Sequence, residues 1–310
     1  VSYRAPEYAA RFNIVKNRKK FYLTSLIILV LGLLSMLTLG LNLGVDFKAG
    51  TRLDLYIGKE FEAADVEAII KKHLPDTNFT AVTPYGNFQA YTRFDQTIPA
   101  DKLNEIQQDL AAKYGDQVTR QESTVDPIIA QELMRKAGIA ILLAAVGIGI
   151  YVAVRFQYLV GIACVVALLH DVFIPIALFS LFRLEVDLTF IAAILTIVGY
   201  SLNDTIVIFD RIRENMRTMK HKTVEDLEHL VNLSLWQTMR RSVFTVLTVL
   251  VTALAIVLLG SEGIRNFSLA LIFGLVSGSY SSIFIAAQVW VSLKEREMKK
   301  KRFAPEPKKE

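Results

Sequence analysis

Cysteine occurs once in these 310 residues, as Cys164. No intramolecular disulfide is possible, and a metal site built on cysteines is excluded. No Gly-x-x-x-x-Gly-Lys-Ser/Thr phosphate loop is present, so a nucleotide-driven motor of that kind is excluded as well. Charge is also scarce. Asp, Glu, Lys and Arg make up 21% of the chain, against 53% hydrophobic residues and a mean hydropathy of +0.38. An average soluble domain has about 25% charged residues.

The scarcity of charge is concentrated in six blocks. Phe21–Leu41, Ala137–Val154, Tyr158–Phe182, Leu188–Phe209, Val243–Leu259 and Phe267–Leu293 are long, apolar and nearly free of charge. A run of about 18 or more apolar residues reads as a membrane-spanning helix. Six of them exclude a soluble enzyme, a disordered chain and a disulfide-stapled secreted domain. The fold class expected is a polytopic α-helical membrane protein. Its spans are placed at 21–41, 137–154, 158–182, 188–209, 242–259 and 264–293.

Alternate links are poor in Lys and Arg. They crowd instead into residues 1–20 (Arg4, Arg11, Lys16, Arg18), the link 210–241 (Arg211, Arg213, Arg240, Arg241) and the tail 294–310 (Lys294 to Lys309). Cytoplasmic loops carry the Lys/Arg excess. Both termini are therefore expected in the cytoplasm, and the net acidic segment 42–136 outside. The basic tail reads as a solvated end that fixes topology. Anionic lipid or ribosomal RNA is the sharper reading, but no nucleic-acid partner is expected. The first run lacks a small-residue cleavage site and reads as an uncleaved anchor. The chain begins with Val, which leaves open a trimmed chain, an alternative start codon or one part of a longer polypeptide.

The external segment alternates like strands and repeats like helices. Leu53, Leu55 and Ile57 mark one strand, while Val66, Ile69, Ile70 and Leu74 mark a helix. Strands are expected at Phe79–Thr83 and Phe88–Phe94 around a turn at Pro84–Asn87. Phe88, Ala90 and Phe94 are placed on one face. A helix with Leu103, Ile106 and Leu110 follows, then a strand over Gln117–Val125. The order β-α-β-β-α-β is that of a ferredoxin-like unit. It holds no paired carboxylate–histidine constellation, and no catalysis is expected there. Its expected roles are rigid spacing and contact with another protein.

Polar residues inside the apolar runs carry the functional signal, because a charge at mid-bilayer costs about 2.5–3.5 kcal/mol on insertion scales. Asp204 lies roughly 24 Å along its helix from Leu188 at 1.5 Å per residue. Tyr200 shares its face, and Asn203 borders it. Asp204 is read as a proton-carrying carboxylate, with a structural ion pair as the plainer alternative. Arg241, Thr245, Thr248 and Thr252 form a polar stripe on the next helix, and Arg241 is the natural counter-charge. His170 and Asp171 are either a relay coupled to that site or a hydrogen-bonded helix contact. Gly274, Gly278 and Ser282 recur every four residues and permit close helix packing. This segment is read mainly as packing, with the hydroxyls of Ser277 and Ser281 as the alternative means of holding water near the pair. No metal or cofactor is expected. An ion gradient remains as the energy source, worth about 2.3 kcal/mol per charge per 100 mV.

Several segments resemble the SecF members of the SecD/SecF family of the bacterial Sec protein-export machinery. They are Gly44-Val-Asp-Phe-Lys-Ala-Gly-Thr51, Val125-Asp-Pro127, His170-Asp-Val172, Gly199-Tyr-Ser-Leu-Asn-Asp-Thr-Ile-Val207, Phe209-Asp-Arg-Ile-Arg-Glu-Asn215, Gln237-Thr-x-x-Arg241 and Gly278-Ser-Tyr-Ser-Ser-Ile-Phe-Ile-Ala286. The resemblance runs through essentially the whole chain. Ala49 and Asp126 stand where the family has glycine, and Ser279 where it often has threonine. The resemblance implies a six-helix half of a bundle akin to the proton-driven RND export pumps, completed by SecD. It implies a non-enzymatic role, with protons as the coupling ion, in moving secreted polypeptides through the SecYEG channel. Asp204 would carry the proton and Arg241 would be its switching partner; Asp46, in the first segment, is a secondary candidate. The alternative is a small-molecule, proton-driven efflux subunit of the same superfamily. The single small external domain argues against it.

Overall fold

The structure is a computed structural model that describes residues 12–85, 88–155 and 157–302. The basic residues Arg4 and Arg11, the turn residues Gly86 and Asn87, and the tail residues Lys308 and Lys309 lie outside the described residues. The chain divides into two compact units. One comprises the described parts of 1–41, 141–184 and 189–310; the other comprises 42–140 and 185–188.

The helical unit is built from α1 (Arg18–Leu39), the later part of α5 (Pro127–Arg155), α6 (Tyr158–Leu181), α7 (Leu188–Thr218), α8 (Val224–Leu259), α9 (Glu262–Ser281), a π-helical turn (Ser282–Ala286) and α10 (Ala287–Arg302). Among the described residues, six candidate spans are long and apolar enough to cross a membrane. Several helices run beyond the apolar blocks that announce them. α7 continues to Thr218 and α8 starts at Val224, so most of 210–241 is helix rather than irregular link. The charged ends of these helices read as polar in hydropathy yet keep helical propensity. Thr223 and Asp226 close a reciprocal capping box at the start of α8, which explains the sharp start there.

Burial is uneven. α6, α7 and α9 supply fully packed residues such as Ala163, Phe179, Ile197, Ile208 and Ala270. α1, α5 and α8 turn Leu37, Leu142 and Leu258 outward. Lipid tails are as apolar as leucine, so such faces are at no disadvantage in a bilayer. Pro175 lies inside α6, as membrane helices tolerate when neighbouring helices satisfy the freed carbonyl.

The second unit begins with β1 (Asn42–Leu43) and the single turn α2 (Val45–Lys48). Its body is β2 (Gly50–Tyr56), α3 (Ala63–His73), β3 (Thr83–Tyr85), β4 (Gln89–Phe94), α4 (Ala100–Tyr114) and β5 (Thr119–Val125). The antiparallel sheet has the order β3-β4-β2-β5. Leu53, Leu55, Ile70, Phe94, Ile106 and Leu110 form its core. Three expectations are corrected. The unit does hold a carboxylate–histidine cluster: His73 of α3 has Nδ1 3.1 Å from Glu105 and Nε2 2.8 Å from Asp109, both on α4, a meeting that only the packing of the two helices creates. Phe79–Thr83 is not a strand: Phe79 forms only an isolated bridge to Phe94, and the paired strand is Thr83–Tyr85. Phe88 sits in the turn and is exposed, so Thr92 joins Ala90 and Phe94 on the buried face. Thr92 is kept there by donating its hydroxyl to the Thr80 carbonyl at 2.7 Å, which offsets the cost of burying it.

Ala49, where the family's segment has glycine, adopts φ 69° and ψ 173° and is buried. That region is open almost only to glycine and costs a side-chain-bearing residue of order 1–3 kcal/mol. Ala49→Gly is expected to stabilise the unit by about 1 kcal/mol. Thermal unfolding of the full chain checks this; an unchanged or lower midpoint would show that the strain is relieved elsewhere.

Candidate functional site

Asp204 is buried on α7, on the face that also buries Ile197, Ser201, Thr205 and Ile208. It lines a tight cavity of about 10 Å³ with Tyr200, Ser201, Thr245 and Gly278, room for one water at most. Arg241 of α8 is the charge that acts on it across the helix gap. Among the described residues no ion pair within 4.0 Å joins the two. Ser242 is turned towards Asp204, and its buried hydroxyl makes no hydrogen bond among the described residues. Asn203 points away and is exposed. The threonine stripe of α8 is committed to its own helix: Thr245, Thr248 and Thr252 donate to the carbonyls of Arg241, Thr245 and Thr248. This is a local alternative always open to a helical threonine, so sequence spacing alone does not reveal it.

Arg241 also lines a wider, polar cavity of about 470 Å³ with Asp210, Arg211, Glu214 and Gln237. Arg211 donates through Nε to Gln237 Oε1 at 2.6 Å, and Asn215 donates to the same oxygen at 2.9 Å and to Ser234 at 2.8 Å. These bonds fasten α7 to α8. They give Gln237 and Asn215 roles that charge patterning missed, because both are neutral.

His170 and Asp171 do not join the Asp204–Arg241 pair. Asp171 is wholly buried and accepts from Ser201, Ser277 and Ser281. Ser277 and Ser281 serve the His170–Asp171 pair, towards which the helical turn directs them. Gly274 and Gly278 lie where α9 meets α7. A Cβ on Gly274 would overlap Ile197, and one on Gly278 would lie 3.2 Å from Ser201 Cβ. Ser282 departs from the expected stripe. The helix widens into the π turn there, and its hydroxyl meets Thr205 at 2.8 Å.

Asp46 belongs to the second unit, as does Leu188. Its carboxylate accepts from the backbone N–H of Leu188 at 2.9 Å, which caps the first residue of α7. The strand β6 (Glu185–Val186) pairs in parallel with β1 beside it. The buried Glu185 meets Arg52 at 3.2 Å and Arg93 at 3.5 Å. Burial pushes the Glu185 carboxyl above its ordinary value, and Arg93 and Arg52 pull it partly back. A group raised on folding contributes stability below its unfolded value that is lost as pH rises through the folded one. Glu185→Gln should therefore flatten the fall in thermal stability above pH 4.5, the ordinary glutamate value. A variant that loses stability with pH as steeply as the parent would place the effect on another group.

Residues 105–296 match the family described as "Protein export membrane protein SecD/SecF, C-terminal", and residues 34–55 match the SecD/SecF GG motif. The chain belongs to the SecD/SecF family. It is 46% identical to the protein translocase subunit SecF of Alicyclobacillus acidocaldarius, over 94% of this chain and 95% of that one. It is 41% identical to the subunit SecDF of Bacillus subtilis, over 94% of this chain and 39% of that one. Among solved structures it resembles SecDF of Thermus thermophilus, described as a translocon-associated membrane protein. The TM-score is 0.80 and the identity 33%, over 92% of this chain and 39% of that chain. The chain thus spans nearly the length of that SecF and about two fifths of either SecDF. With its six apolar helices, this SecD/SecF member is a polytopic helical membrane protein.

Gly278→Val should push α9 off α7, since its side chain would enter the space of Ser201. Overpacking of this kind costs about 1–3 kcal/mol. Thermal unfolding in detergent checks it, and an unchanged midpoint would mean the two helices are not in close contact.

Proposed function

We propose that this chain is an auxiliary, non-enzymatic subunit of the bacterial Sec protein-export machinery. With a SecD partner it uses proton flow to promote translocation of secreted polypeptides through SecYEG. Support comes from family membership and from relatives named as translocase subunits, SecF alone or SecDF fused. The residue that carries the reading is Asp204, a buried carboxylate on an apolar helix, facing a charge that never neutralises itself.

Protons are the coupling ion in this reading, and no cofactor takes part. Protonation of Asp204 removes its attraction for Arg241 and frees α7 and α8 to shift. Tyr200 and Thr245 wall the space beside it, and Asn203 lies on the exposed face of α7, where a SecD half would complete the RND-like bundle. The protein sits in the bacterial inner membrane with both termini cytoplasmic, in keeping with the Lys/Arg distribution. The unit of residues 42–140 is the external, ferredoxin-like domain, in keeping with its antiparallel β3-β4-β2-β5 order.

Asp204→Asn, assembled with SecD, is expected to abolish the stimulation of export by an imposed proton gradient while leaving the complex intact. Full stimulation by that variant would remove Asp204 from the mechanism. A sodium gradient that drives the parent equally well would change the ion.

A further inference from the structure

The middle of the helical unit holds a charge that the Asp204 reading does not use. Asp171 collects four polar neighbours from three helices. Ser201 of α7 donates to Oδ2, Ser281 of α9 donates to the same oxygen at 2.6 Å, and Ser277 of α9 donates to Oδ1 at 3.2 Å. His170 Nδ1 lies 3.2 Å from Oδ1. An ionised carboxylate only accepts hydrogen bonds, and this is a set of donors that suits it. Yet no Lys or Arg forms an ion pair with Asp171 among the described residues; His170 alone does.

A carboxylate anion away from water is costly unless a cation balances it. A neutral His170 with its hydrogen on Nδ1 leaves the pair at −1. A second proton, on Nε2, brings it to zero. Nε2 is buried and without a partner among the described residues. The imidazole edges a cavity of about 580 Å³ walled mainly by apolar side chains such as Leu26, Val30, Val166 and Phe173, with Tyr22 and Ser25 of α1 among them. Tyr280 of α9 stacks on the ring at 6.0 Å and commits its hydroxyl to the Phe21 carbonyl. The π turn begins directly after Ser281, and such turns concentrate at functional sites.

We propose that His170 is a second proton-binding site, with Asp171 as its fixed counter-ion and Ser201 as the contact through which α7 senses its charge. Loading forms the Nε2–H bond with a proton from hydronium, which is left as water. Unloading breaks that bond and returns the proton to water, and no electrons move. Ser201 lies three residues before Asp204, on the same face of α7. The unbalanced carboxylate of the unloaded pair grips the serines of α7 and α9 more strongly than the neutral pair does. The other titratable groups beside the ring are Tyr22 and Tyr280; Asp204, opposed by Arg241, lies about one helical turn along α7 from Ser201. The use of this site in export rests on the proton-coupled reading above; its state of protonation does not.

The test is nitrogen NMR of the full chain in lipid nanodiscs with ¹⁵N-labelled histidine. There are four histidines, and His170→Gln assigns the signal. The parent in neutral buffer should show a His170 imidazolium. Asp171→Asn should lose that signal, and Asp204→Asn should keep it. Ser281→Ala, which removes one donor and no charge, should keep it too. A neutral His170 in the parent overturns the proposal. Loss of the imidazolium in Ser281→Ala or in Asp204→Asn overturns the assignment of Asp171 as counter-ion, and it does so even where Asp171→Asn fails to fold. Because Asp204 fails or passes in the export assay separately, the two readings fall separately.

Discussion

Three helices converge on one carboxylate that has no contact with solvent. Asp171 draws a serine from α7 and two from α9 onto α6. Such hydrogen bonds are worth about 1–2 kcal/mol each in model membrane peptides, and less in intact proteins. The larger constraint is the alternative, a carboxylate left bare among apolar side chains. α9 must come close to satisfy it, which is why glycine stands at 274 and 278, where any side chain would meet Ile197 or Ser201. The same close approach walls the narrow cavity around Asp204. The second carboxylate therefore inherits its burial from the packing that serves the first.

The two carboxylates sit in different kinds of surroundings. Asp171 has its oxygens filled by hydroxyls, and nothing in its contacts leaves room for a large movement. Asp204 has a buried hydroxyl nearby that is not bonded, a small void and an arginine that lies beyond ion-pair distance. A group held loosely against a permanent cation can change partners when it takes up a proton. A group held by three donors serves better as an anchor. Arg241, which edges both the region of Asp204 and the wide polar cavity with Asp210 and Glu214, lies where such a change would be communicated along α7 and α8.

Much of this was legible in the residues. Apolar run length located the helices, and period-two alternation at Leu53, Leu55 and Ile57 located the central strand. Asp204, Arg241, His170 and Asp171 stood out because a charge in an apolar run is rare. What remained hidden is tertiary. Nothing in the spacing of Ser277 and Ser281 says that they serve Asp171 rather than Asp204, since that depends on which helix lies opposite. Thr245, one of the polar stripe on α8, lines the Asp204 cavity but donates its hydroxyl to its own helix, which spacing does not reveal. Asp46 looked like a membrane-site candidate because of its motif; it accepts from Leu188 within the second unit. The irregularity at Ser282 leaves no mark in composition, because a π turn uses the same residues as the α-helix around it.

In the proposed mechanism, protons pass by way of Asp204. The direct measurement is proton flux into proteoliposomes that hold the chain assembled with its SecD partner, under a fixed imposed gradient, for the parent and for Asp204→Asn. The variant is expected to fall to the leak of empty vesicles while assembly is preserved. Flux equal to the parent's would contradict the claim.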